Sequence, residues 1–118
     1  MAIQERAQEL GRMVGQADEY GALKRANDRL MEETDLKAGL ERLRQLQISL
    51  SEQVEHGTAP TPEQQAEVDA LVMKLQAHPT YQGVVAAQAN FDKLMYKIND
   101  WILEGIRKGS ESRIITLG

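Results

Sequence analysis

The side chains able to do acid–base, nucleophilic or metal chemistry are few in this 118-residue chain, and their spacing does not bring them together. His56 sits beside Gly57 and His78 precedes Pro79, at opposite ends of one expected helix, so the two share no metal-ligand spacing and read as helix-end residues. The carboxylate pairs Glu32/Glu33 and Glu63/Glu67 have the composition for acid–base work. A dinuclear carboxylate site in a helical bundle needs Glu-x-x-His pairs as well, and neither histidine has a glutamate three residues before it. These acids therefore read as surface charge. There is no cysteine, hence no disulfide, thiolate site or cysteine nucleophile. No glycine-rich phosphate loop or nucleophile motif is present. The expectation is a protein that is not an enzyme and holds no metal or cofactor.

Two uncharged polar residues stand out instead. Gln47 and Gln88 each interrupt an apolar stripe of four-three spacing, where a glutamine is either an edge residue reaching water or a buried group that needs a partner. If they pair, they are register candidates, since polar residues inside apolar seams set alignment and oligomer state.

The elements that would position these residues are all helical. His78 to Ile106 carries four of the five aromatic residues and begins with Pro79, which suits a first helical turn. Val84, Gln88, Phe91, Met95, Ile98 and Ile102 step by four and three, with Ala87, Leu94 and Trp101 beside them at heptad spacing. This stripe is wide enough to face two neighbours. Gln88, Phe91, Leu94, Met95, Ile98, Trp101 and Ile102 are thus the residues expected in the core or in an oligomer interface. Arg107 and Lys108 suit a last turn and Gly109 a terminator, leaving 109–118 as a flexible or docking tail.

Upstream, Ile3, Ala7, Leu10, Val14 and Ala17 mark a first helix weakened by Gly11 and Gly15. Asp18 is a candidate cap for a second helix through Leu30. Whether the first two helices are continuous is left open by the pattern. Thr34 and Asp35 are candidate caps for a long third helix with Leu36, Leu40, Leu43, Gln47, Leu50 and Val54 along one side, ended by Gly57. Thr61-Pro62-Glu63-Gln64 is a capping box with proline at the first helical position, so a fourth helix starts there and buries Val68, Leu71, Val72 and Leu75. With no strand alternation and no repeat, the fold class is all-α. The expected architecture is an antiparallel helical bundle of four to five helices with long third and C-terminal helices, in a single domain over residues 1–108.

Composition bounds the partners. Fourteen basic against eighteen acidic residues give a net charge of -4 without a basic block, which disfavours direct nucleic-acid binding; Lys24, Arg25 and Arg29 read as a solvated helix face. No apolar leader precedes the first helix, and the uncharged residues 76–91 are too polar to span a membrane. A cytoplasmic protein is expected. A small chain with a wide apolar stripe also points to a homodimer or higher homo-oligomer.

Glu19-Tyr20, Lys24, Ala26, Leu46-Gln47, Gly57, Pro60, His78-Pro79, Ala87-Gln88, Phe91, Leu94, Ile98-Asn99, Ile102 and Ile106 together resemble the YlbF/YmcA family of small helical bacterial regulators, over roughly Ala7 to Ile106. The resemblance implies a non-enzymatic regulatory or adaptor protein of antiparallel helices that self-associates and acts through other proteins in bacterial development and RNA processing. Some members of that family are associated with iron–sulfur clusters through C-terminal cysteines, which the ending SESRIITLG lacks. The alternative reading is a structural or chaperone-like helical oligomer without a dedicated regulatory partner.

Overall fold

A computed structural model describes residues 2–117, with side chains over 2–111. Five helices follow one another: α1 (Ala2–Gly15), α2 (Asp18–Glu32), α3 (Thr34–Glu55), α4 (Pro62–Gln76) and α5 (Pro79–Leu117). The class is all-α, as the patterns require.

Local signals explain most boundaries. At α4, the Thr61 side chain accepts from the Gln64 N–H at 3.2 Å and the Gln64 side chain accepts from the Thr61 N–H at 2.9 Å, so the capping box forms with Pro62 at the start. At the end of α3, Gly57 takes φ 81°. The Thr58 N–H reaches back to the Gln53 carbonyl at 2.8 Å and the Gly57 N–H to Val54 at 3.0 Å, the paired bonds of a Schellman turn. Gln16 and Ala17 separate α1 from α2, so these are two helices.

Three boundaries differ from expectation. Asp18 is the first residue of α2 and Ala17 its cap, without a side-chain capping bond. Neither Thr34 nor Asp35 caps α3; Glu33 does so by position only, its carboxylate being engaged elsewhere. The C-terminal helix does not end at Gly109 but runs on to Leu117, because Gly57 alone among the described glycines has a left-handed backbone. Nothing at Gly109 turns the chain. The segment expected as a separate tail is thus continuous with α5 as far as Leu117, and Gly118 lies outside the described residues.

The helices associate in two antiparallel pairs. α2 lies along α5, with its end near the start of α5 through Glu33 and His78, and Tyr20 against Phe91 further along, ring centroids 5.8 Å apart. α3 and α4 form a hairpin bridged by Arg42 and Glu67 and close at Gly39, where an added Cβ would lie 3.6 Å from Leu75. Leu23, Leu36, Leu46, Leu75, Ala87 and Ile98 are the buried apolar residues, and among the described side chains none is wholly enclosed. The five helices do not close round one compact core. The molecule measures 68 × 37 × 23 Å with a radius of gyration of 21.7 Å, against about 13.5 Å for a compact domain of this length. At about 1.5 Å per residue, the 39-residue α5 is itself roughly 58 Å long and sets that shape.

Candidate interaction surfaces

The stripe of α5 splits into a covered and an uncovered part. Ala87 and Ile98 are buried, and Phe91 and Leu94 are half-buried against α2. Met95, Trp101 and Ile102 are exposed; the Glu33–His78 and Tyr20–Phe91 contacts put the start of α2 near Lys93, so Trp101 and Ile102 lie beyond it on α5. Asp18, Glu19, Lys93, Lys97 and Trp101 border the open groove where this happens. Farther out, Ala2, Ile3, Ala7 and Leu10 of α1 face Ile102 across an almost wholly apolar groove. No residue of α1 is buried.

The two glutamines are not brought together within the chain. Gln88 is exposed and donates to Asp92 on its own helix at 2.9 Å. Gln47 is exposed on α3, a helix that packs on α4 and α2. The buried side of α3 is rotated by one residue from the expected line: Leu36, Gly39, Leu43, Leu46, Leu50 and Gln53 face inward, while Gln47 and Val54 face out. Both lines keep a three-four step, so spacing alone does not choose between them. Leu46 decides, because burying leucine rather than glutamine removes more apolar area and leaves fewer polar atoms to satisfy. The inward glutamine is Gln53, whose Oε1 is buried without a hydrogen-bond partner.

A polar junction that the sequence does not reveal ties the end of α2 to the start of α5, beside the connections to α3 and from α4. The Glu33 carboxylate, between α2 and α3, lies 2.9 Å from His78 Nε2 and accepts a hydrogen bond from the Thr80 hydroxyl. The Thr80 N–H in turn donates to His78 Nδ1 at 3.2 Å, so the imidazole caps α5 with one nitrogen and meets Glu33 with the other. Such a junction holds helix ends. The nearest concavity, about 340 Å³ between α3 and α4, is lined by Leu36, Gly39, Leu71 and Leu75 with Asp35, Lys74 and His78 at its polar side.

The remaining candidates are dispersed. His56 is exposed at the C-cap of α3, and Glu32 and Glu63 are exposed on α2 and α4. Glu67 bridges to Arg42 at 2.8 Å, and Arg44 holds the Glu41 carboxyl below the usual glutamate range through a 2.6 Å charged hydrogen bond. Among the described residues no group of three or more His, Asp or Glu could hold a metal ion, and no helix is long and apolar enough to cross a membrane.

The family model described as control of competence regulator ComK, YlbF/YmcA, matches residues 3–107. Over 104 residues the chain is 23% identical to a UPF0342 protein of Leuconostoc mesenteroides subsp. mesenteroides, covering 88% of this chain and 89% of that protein. Over 82 residues it is 30% identical to a UPF0342 protein of Streptococcus mutans serotype c, covering 70% and 73%.

Proposed function

This chain belongs to the YlbF/YmcA family of regulators, and from that premise we propose that it is a non-enzymatic, cytoplasmic adaptor that regulates by binding another protein. The observation that carries the reading is the distribution of apolar surface. Large hydrophobic side chains stand exposed on all five helices, among them Ile3, Met31, Ile48, Met73 and Trp101, while titratable side chains are scattered or committed to helix ends. Apolar helix faces of this kind suit helix-to-helix recognition of a partner protein. The process it regulates is read from the family as bacterial development and RNA processing. Without cysteine the chain offers no thiolate ligand for an iron–sulfur cluster, so its part in such a process is to bind rather than to carry a cluster.

The test is affinity purification of the tagged full-length chain from its own cells, followed by reconstitution with the purified partner. A discrete partner at fixed stoichiometry, bound with the same ratio after reconstitution, is the expected result. A broad mixture of unfolded clients, released by competition with any denatured protein, would refute the adaptor and favour a chaperone-like oligomer.

A further inference from the structure

Across the α3/α4 hairpin, Arg42 and Glu67 fix the register, their side chains meeting at 2.8 Å. About two turns along, toward the start of α3 and the end of α4, Asp35 and Lys74 stand opposite one another by the same register. They do not meet. Among the described residues neither side chain has an ion-pair or hydrogen-bond partner, and both line the cavity of about 340 Å³ between the helices. Asp35 and Lys74 are exposed and so form its mouth, whereas Leu36 and Leu75 are buried and, with Leu71, make its floor.

Gly39 keeps the slot open, because a side chain there would grow toward Leu75, 3.6 Å from the position of an added Cβ. His78 closes one end without adding a free polar group: its Nε2 faces Glu33 at 2.9 Å, and its Nδ1 accepts the Thr80 N–H at 3.2 Å. The slot therefore offers one uncommitted carboxylate, one uncommitted ammonium and an apolar floor. Its volume lies at the low end of small-molecule sites, about 300–1,000 Å³. The complementary molecule is small and carries a cation and an anion close together on an apolar body. A peptide terminus or a fatty acid brings only one of the two charges. A free α-amino acid with an apolar side chain brings both on one carbon, so each charge meets its opposite while the side chain leaves water.

We propose that the slot between α3 and α4 binds a free apolar α-amino acid, its ammonium on the Asp35 carboxylate, its carboxylate on the Lys74 ammonium and its side chain on Leu36, Leu71 and Leu75. The bound molecule bridges the two helices where they make no ion pair of their own. The site is independent of the adaptor reading: either can fail without the other.

Titration calorimetry of the full chain with L-leucine is expected to show one site per chain with a dissociation constant of about 0.01–1 mM, and Tm should rise once the ligand exceeds that concentration. N-acetylleucine lacks the cation, leucinamide the anion and glycine the apolar side chain, so each should bind roughly 10-fold more weakly or worse. In the methyl NMR spectrum of the labelled chain, unlabelled L-leucine should shift Leu36, Leu71 and Leu75 and leave Val85 and Ile102 in place. Asp35→Asn and Lys74→Met should each weaken L-leucine binding roughly 10-fold. Lys37→Met, exposed on α3 outside the slot, should not. No binding at millimolar L-leucine, an analogue that binds as tightly as leucine, unchanged affinity in Asp35→Asn or Lys74→Met, or methyl shifts confined to residues outside the slot would each overturn the proposal. Asp35 and Lys74 would then be helix-end charges only. If a variant loses its helical spectrum, the analogues and the methyl shifts decide alone.

Discussion

Removing the Glu33 carboxylate should loosen the end of the α2/α5 pair, where both helices turn into the α3/α4 hairpin, without disturbing that hairpin. Glu33→Ala deletes two hydrogen bonds, from the Thr80 hydroxyl and from His78 Nε2 at 2.9 Å. A hydrogen bond to a charged acceptor contributes about 1.5–3 kcal/mol. The Glu33 and His78 side chains are 35% and 32% exposed, so water takes over part of each bond, and the discounted loss is about 0.5–1 kcal/mol per bond. Neither partner is left buried and unsatisfied, and no capping bond of α3 is lost, because Glu33 makes none. The expected total is about 1–2 kcal/mol. For a chain of this size the entropy of unfolding near the midpoint is about 0.25 kcal/mol/K, so Tm should fall by about 4–8 °C. The assay is thermal unfolding followed by far-ultraviolet circular dichroism at fixed protomer concentration, since self-association makes Tm concentration-dependent. Thr80→Val, which removes one bond only, should cost about half as much. The double variant should cost less than the sum, because both changes remove the same contact. A Tm within 1 °C of the parent for Glu33→Ala, or strict additivity in the double variant, would refute the joint.

Other substitutions separate close alternatives. Leu46→Ala should destabilise by about 2–4 kcal/mol while Gln47→Leu stays within about 0.5 kcal/mol, and denaturant midpoints that reverse this order would move the buried line of α3 back to Gln47. Gly57→Ala should lose about 1 kcal/mol in the same measurement, because its φ of 81° strains any residue with a Cβ. By NMR titration Glu41 should titrate below the ordinary value of a glutamate and move back up in Arg44→Ala; a depressed folded value means the ion pair acts at neutral pH and disappears as pH falls through that value.

Much of this protein is written locally. The capping box at Thr61, the left-handed Gly57, the break before Pro79 and the three-four steps of leucine and isoleucine set four helix ends and the helical class, because each depends on residues a turn or less apart. The residues of the α5 stripe are also legible, and Ala87 and Ile98 lie on its covered side. What spacing does not decide is phase and partner. Leu46 or Gln47 both satisfy the step along α3, and only packing against α4 and α2 selects Leu46 and turns Gln53 inward. Gln47 and Gln88, equivalent on paper, sit on helices that do not pack as a pair. The Glu33–His78–Thr80 joint joins residues 47 apart in the chain, a distance over which no local pattern carries information. Whether Gly109 ends a helix likewise depends on φ there, and α5 continues through it without a left-handed residue. The exposure of Trp101 and Ile102 is a property of the tertiary structure alone: α2 has only 15 residues with which to cover the longer α5, and α1 meets it only across an open groove.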